Sequence, residues 1–290
     1  MTALPSIVPS EAGLGADVVG IDLARPLDAA QMAAVRDAWH RHLVLRFRGQ
    51  SLTDEQLMAF SMQFGALDRA PKRSATAVPV EGVADYVLTI SNVIENGKPI
   101  GELGDAEAAW HQDMTYNESP PVGAFLYAIE LPDRGGDTSF CDLYRAFETL
   151  EPSLQRQVQS LGCIHDITLD SAGRPRKGYT PTTDPRNAQG AVHPLVLEHP
   201  RTRRRHLYLG RRKWAYLPGL SLDDSEALLD ALWAHCARPE LHWTQTWQLG
   251  DLILWDNRCT MHRRDSFPAD SRRVLHRTQL RNDDAPAARH

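Results

Sequence analysis

The chain has 290 residues, 42% hydrophobic and 24% charged, which gives it the length to bury a core and the balance of a folded globular protein rather than a disordered one. Its formal net charge of −5 argues against a nucleic-acid binder, because phosphate binding is driven by positive charge. No apolar run approaches the roughly 18 residues that a membrane span needs, and the N-terminal "MTALPSIVPSEAGLGADVVGIDL" lacks the basic and apolar regions of a signal peptide. The cysteines, Cys141, Cys163, Cys236 and Cys259, form no C-x-x-C pair and are expected as reduced thiols in a cytoplasmic protein.

In chain order, "DAAQMAAVRDAWHRH" (28–42) carries apolar residues at helical spacing. "HLVLRFRG" (42–49) then reads as a half-buried strand that ends on Gly49. "TDEQLMAFSMQFG" opens with Thr53 three before Gln56, a capping box, and stops at Gly65. "DYVLTIS", "GAFLYAIEL" and "RHLYLG" read as strands. The Gly-, Pro-, Thr- and Arg-rich segment 170–190 reads as a long mobile loop or lid. "SLDDSEALLDALWAHCA" (221–237) is the clearest helix, with Pro239 just beyond it. "HWTQTWQLGDLILWDN" reads as strand, Gly250-Asp251 turn, strand. Many strands with interspersed helices and no regular β-α alternation point to a single mainly β domain over 1–290 with inserted helices (α+β) and a jelly-roll core.

Chemistry concentrates in "WHQDMTY" (110–116) and in the stretch from Trp255 to Leu280. On a strand, His111 and Asp113 would share a face and could converge on one metal ion, and a second histidine would complete the two-His, one-carboxylate set of non-haem iron oxygenases. The pair taken alone is far more often a surface salt link or a hydrogen-bonded core histidine, so H-x-D by itself settles nothing. Arg273 and Arg277, four apart, would also share a face of a strand. Two buried guanidiniums call for anionic partners such as carboxylates, whereas on an edge strand they would simply be solvated.

Taken together, "GADVVGIDLARPL", "LRFRGQSLTDEQ", "FGALD", "WHQDMTY", "ELPDRGGDTSFCDLYRAFETL", "GDLILWDNRCTMH" and "RRVLHR" resemble the Fe(II)/2-oxoglutarate-dependent dioxygenases of the TauD/TfdA family over most of the chain. The order H-x-D, G-G-D-T, W-D-N-R-x-x-x-H and R-x-x-x-R is the specific part. The resemblance implies a double-stranded β-helix, cupin-like core, with His111, Asp113 and His262 as metal ligands. Thr138 and Arg273 would hold the far carboxylate of 2-oxoglutarate, and Arg277, with the backbone N–H of Met114, would meet an anionic substrate. Trp110 would wall the metal. The implied reaction consumes 2-oxoglutarate and O2, releases succinate and carbon dioxide, and hydroxylates the substrate.

The run "FGALDRAPKRSA" lacks the histidine that holds the sulfonate in taurine enzymes, and offers Arg69, Lys72 and Arg73 instead. One of them, with Lys72 and Arg73 the candidates, could meet a substrate carboxylate, the alternative being a solvated basic loop, and an aryloxyalkanoate or N-substituted amino acid is favoured over a sulfonate. His40 and His42 have no carboxylate nearby in sequence and are read as structural. The basic "HPRTRRRHLYLGRRKW" is read as a polar hairpin turn leading into a strand rather than a nucleic-acid patch, and Cys259 as a buried thiol rather than a ligand. A metal-dependent hydrolase and a non-catalytic binding protein are the competing functions. No nucleic-acid or membrane partner is expected, and the assembly is expected to be a homo-oligomer.

Overall fold

The computed structural model describes residues 3–70, 83–103 and 108–283. Twelve strands build its two principal sheets. The first five are β1 (Ser6–Pro9), β2 (Ala16–Val19), β3 (Val44–Phe47), β4 (Leu88–Ser91) and β5 (Glu102–Leu103). Then come β6 (Ala108–His111), β7 (Gly123–Glu130) and β8 (Thr138–Asp142). The last four are β9 (His242–Gln245), β10 (Leu252–Asp256), β11 (Thr260–Arg264) and β12 (Val274–Leu280). The eight-stranded sheet has the order β1-β2-β3-β10-β7-β12-β4-β5, and the four-stranded sheet β9-β8-β11-β6. Pairing is antiparallel except for β2 with β3 and β4 with β5. Among the described residues no strand pairing joins the two sheets, so they are separate layers rather than a closed barrel. The 242–257 stretch does hold two strands, but β9 and β10 belong to different sheets, which makes the segment a crossover between layers.

Strand alternation sorts the apolar residues onto two faces. Leu45 and Phe47 of β3, Phe125 and Tyr127 of β7, and Leu252 and Leu254 of β10 point outward. There they meet Val35, Ala38 and Trp39 of helix α1 (Ala29–His42) and Leu57 and Phe60 of helix α2 (Asp54–Met62). The residues between them, Val44, Ala124, Ile253 and Trp255, point inward and join Phe140 of β8 in a cluster between the sheets. Strands covered on both faces read as continuous apolar runs, as β10 does in "LILW". Three further helices, α3 (Leu143–Glu148), α4 (Pro152–Val158) and α5 (Leu222–Cys236), complete the fold, and α5 seats Leu228, Leu229 and Leu232 against Leu143, Phe147 and Leu207.

The local signals act as read. Asp28 and Thr53 each close a capping box, with Gln31 and Gln56 respectively. Helix α2 stops at Met62, one turn before Gly65. The basic stretch forms a hairpin, Val196–Glu198 against Arg205–Leu207, with Arg203 and Arg204 paired to Glu198 and Glu148 at 2.6 and 2.7 Å. All four cysteines are free and buried. Among the described residues no helix is long and apolar enough to cross a membrane.

Phe125 is fully buried between the edges of Phe60 and Phe64, at ring-centroid distances of 5.6 and 5.3 Å. Phe125→Ala should cost about 3–5 kcal/mol in a denaturant titration, because helix α2 cannot collapse into the space left without losing its seat on β7. A loss under about 1 kcal/mol would mean that this helix–sheet contact contributes little.

Candidate active site

The site lies between the sheets, in a cavity of about 680 Å³. Antiparallel partners across a sheet share a face, and two rows supply its walls. On the small sheet, register places Phe140, His262 and His111 side by side, and an isolated bridge continues the row to Arg211. On the large sheet the facing row is Leu88, Arg277, Leu126 and Ile253. All eight line the cavity, together with Asp113, Met114, Thr138, Trp255 and Arg273.

His111, Asp113 and His262 come together as expected, each offering a ligand atom within 4.8 Å of the others. The local route differs from the sequence expectation. Strand β6 ends at His111, and Asp113 stands in the turn that follows, so the two do not share a strand face. Asn257 holds the turn instead. Its Oδ1 accepts from the Asp113 N–H at 2.8 Å, and its Nδ2 donates to the carbonyls of Asp113 and Pro121 at 3.0 and 2.9 Å. Gln112, fully buried, uses all of its amide capacity the same way. It donates to the carbonyls of Asn257 and Arg258, both at 3.0 Å, and accepts from the N–H groups of Leu209 and Gly210 at 3.1 and 3.2 Å.

Each candidate ligand is oriented by its surroundings. His111 Nδ1 lies 2.8 Å from the Ala109 carbonyl, which can only accept, so Nδ1 carries a proton and Nε2 is the nitrogen turned to the site. His262 packs among the rings of His111, Trp255 and Phe140 at 4.2, 5.0 and 6.0 Å. Burial, and after it His111, brings the His262 pKa down to about 3, so the ring is neutral at neutral pH. Burial by itself would raise the Asp113 pKa, but Arg277, and after it the neighbouring His111 and His262, outweigh it and hold the carboxyl well below the usual range. Arg277 and Gln279, alternate residues of β12, both donate to Asp113 Oδ2, at 3.2 and 3.3 Å.

Arg273 is almost completely buried. It donates to the Gly136 carbonyl at 3.1 Å, while its Nε has no partner among the described residues. Gly136 (φ +72°) explains the glycine pair of "GGDT", since a Cβ there would stand 3.0 Å from Arg273 Nε. Burial and then Arg264 lower the Arg273 pKa to about 9, the mark of a cation held without a counter-charge. Thr138 Oγ1 accepts from Trp247 Nε1 at 3.1 Å, which leaves its own O–H free to donate.

Three expectations need correction or lie elsewhere. Trp110 does not wall the metal site; one residue before His111, it faces the opposite side of the strand and packs on His242 at 4.5 Å. The ring beside the site is Trp255. Arg69 is exposed, and Lys72 and Arg73 lie outside the described residues. His40, read as structural, does have a carboxylate near it in space, since His40, His199 and Asp256 offer ligand atoms within 4.8 Å of one another. The His199–Asp256 part of that set is already engaged, while His40 Nδ1 has no partner among the described residues. His199 Nδ1 accepts from the N–H groups of Arg201 and Thr202, so its Nε2 must donate to Asp256 at 3.1 Å, and Arg258 covers both oxygens of Asp256. The cluster braces the Trp255–Arg258 corner and is structural.

Residues 6–279 match the family described as "Taurine catabolism dioxygenase TauD, TfdA family". The chain belongs to the TauD/TfdA dioxygenases. It is 32% identical to a pentalenolactone F synthase of Streptomyces arenae, over 91% of each chain. It is 33% identical to an (S)-phenoxypropionate/alpha-ketoglutarate-dioxygenase of Delftia acidovorans, over 94% of each. The solved structure of AAD-2 with Mn(II) and N-oxalylglycine superposes with a TM-score of 0.78 at 28% identity, covering 97% of this chain and 98% of that one. This chain is thus an α-ketoglutarate-dependent dioxygenase, an oxidoreductase of a family that uses Fe(II), 2-oxoglutarate and O2. The residues present fit those groups, with two imidazoles and one ionised carboxylate brought together and an under-partnered guanidinium in the same cavity.

Sequence reasoning missed Arg211, Arg176 and Tyr116, all in the cavity wall. Arg211 was hidden inside a run of basic residues. The signal was Gly210 (φ +65°), where a Cβ would strike His165 Nδ1 and Thr115 Oγ1; only glycine lets this segment tuck against the candidate-ligand turn.

Asn257→Ala should weaken Mn(II) binding about 10–100-fold by calorimetry while leaving all candidate ligands in place. Unchanged affinity would show that the Asp113 turn holds without its clamp.

Proposed function

We propose that His111, Asp113 and His262 hold Fe(II), and that the enzyme couples decarboxylation of 2-oxoglutarate to hydroxylation of a small organic anion, releasing succinate and carbon dioxide. One observation carries the reading: the convergent donor set shares a cavity with Arg273, a buried guanidinium without a carboxylate partner among the described residues. Neither a hydrolase nor a passive binding protein needs that second feature. Bound Fe(II) would activate O2, with 2-oxoglutarate as the co-reductant, and so supply the oxidising power toward the substrate.

The chain's own residues do the rest. Arg273 and the free O–H of Thr138 receive the far carboxylate of 2-oxoglutarate. Arg277 keeps Asp113 ionised and, with the Met114 N–H, meets the anionic group of the substrate. Trp255 and Phe140 exclude water beside His262. Residues 170–190, seven of which line the cavity, act as its lid. Lys72 and Arg73 are assigned to a substrate carboxylate. A carboxylate is favoured over a sulfonate because "FGALDRAPKRSA" supplies basic residues and no histidine. The two facing sheets are taken as the halves of a double-stranded β-helix within one domain, and the protein as a cytoplasmic homo-oligomer.

Succinate release from 2-oxoglutarate with Fe(II), ascorbate and air should be stimulated by an aryloxyalkanoate or an N-substituted amino acid more than by an alkyl sulfonate. His111→Ala should abolish it, and near-normal turnover in that variant would sink the ligand assignment. Arg273→Ala should raise the KM for 2-oxoglutarate and Arg277→Ala the KM for substrate, each by at least about tenfold, since truncating one member of a desolvated charge pair costs about 2–5 kcal/mol. Identical behaviour of the two variants would refute the division of labour.

A further inference from the structure

Two arginines of this cavity have their charge answered by a carboxylate: Arg277 pairs with Asp113, and Arg174 with Asp170 at 2.8 Å. Arg273 is reserved for 2-oxoglutarate under the proposed function. Two others remain. Arg211 is carried into the site by its bridge to His111, which puts both side chains on one face, and the Gln112 N–H bond to the Gly210 carbonyl at 3.0 Å fixes that register. Arg176 comes from the opposite side, on the 170–190 segment, where its Nε donates to the Leu169 carbonyl at 3.0 Å. Their guanidiniums lie 4.4 Å (Arg176) and 5.8 Å (Arg211) from the ring centroid of Tyr116. Neither has a carboxylate partner among the described residues, and Arg211 Nε is buried with no hydrogen bond there. Burial, then the nearness of Arg176, depresses the Arg211 pKa. Two neighbouring guanidiniums beside one aromatic ring, with donors left over, are unfavourable until an anion lies between them.

We propose that Arg211 and Arg176, over Tyr116, form a second anion subsite, so that the substrate carries two anionic groups, one for Arg277 and one for this pair. The inference rests on the proposed function and narrows its substrate class to a dianion, with a dicarboxylate favoured for its planar, bidentate fit to guanidinium. The apolar wall of Leu88, Ile90 and Leu126 receives the carbon skeleton joining the two groups. Because Arg176 belongs to the 170–190 segment, the second anion also ties that segment to the metal-ligand strand.

The test uses the full chain loaded with Mn(II) and N-oxalylglycine, titrated calorimetrically with matched pairs: phenoxyacetate against 4-carboxyphenoxyacetate, and hexanoate against adipate. A dianion should bind at least about tenfold tighter than its monoanion partner. Arg211→Gln and Arg176→Gln, checked for an unchanged melting temperature, should remove that advantage and change monoanion binding less than about twofold. Arg176→Gln, away from the metal-ligand strand, keeps the test open if Arg211→Gln fails to fold. A panel in which no dianion outbinds its partner, or variants that weaken both ligands equally, overturns the subsite. Succinate release by the unaltered enzyme without substrate tests the underlying reaction separately.

Discussion

A carboxylate buried to 5% exposure has to be held ionised, and much of the site is arranged around that demand by Asp113. Desolvation would neutralise it. Arg277 and Gln279 reach it from β12, while Asn257 grips its backbone from the loop after β10. The eight-stranded sheet is therefore tied to a residue that follows β6 of the four-stranded one, and its position cannot drift without breaking buried hydrogen bonds, each of which leaves a costly orphan. Arg277 is tied in turn, since its charge is balanced by the same carboxylate.

The same economy runs through the motif residues. Within "WHQDM", His111 and Asp113 face the cavity, while Trp110 and Gln112 face away and serve packing and bracing. Within "WDNRCTMH", His262 and Trp255 face the cavity, Asn257 clamps the Asp113 turn, and Asp256 with Arg258 and His199 stiffens the corner. A supporting shell of saturated amides and ion pairs is what keeps a ligand set within the narrow tolerance that metal chemistry needs.

Positive charge is distributed unequally. On the surface, Arg203, Arg204 and Arg272 find glutamates. Inside the cavity, Arg273, Arg211 and Arg176 have no carboxylate partner among the described residues, a local excess of positive charge that suits anions. Under the proposed function the metal and the arginines would act on the same ligands, one through coordination and the others through charge-assisted hydrogen bonds.

Much of this was determined by the sequence alone. Capping boxes at Asp28 and Thr53, the 221–237 helix, the alternating strands and the ordered set of motifs were legible because they depend on short spacings and on local backbone preferences. So was the grouping of His111, Asp113 and His262, through the resemblance that the motif order carries. The tertiary structure decided the rest. It showed that Asp113 reaches the site through a clamped turn rather than a strand, that Trp110 points away, and that His40 meets Asp256. It also showed that Arg211 belongs to the metal-ligand row while its neighbours in "RTRRRHLYLGRRKW" do not. Each of these depends on register between segments distant in sequence, and a shift of one residue in register moves a side chain to the opposite face.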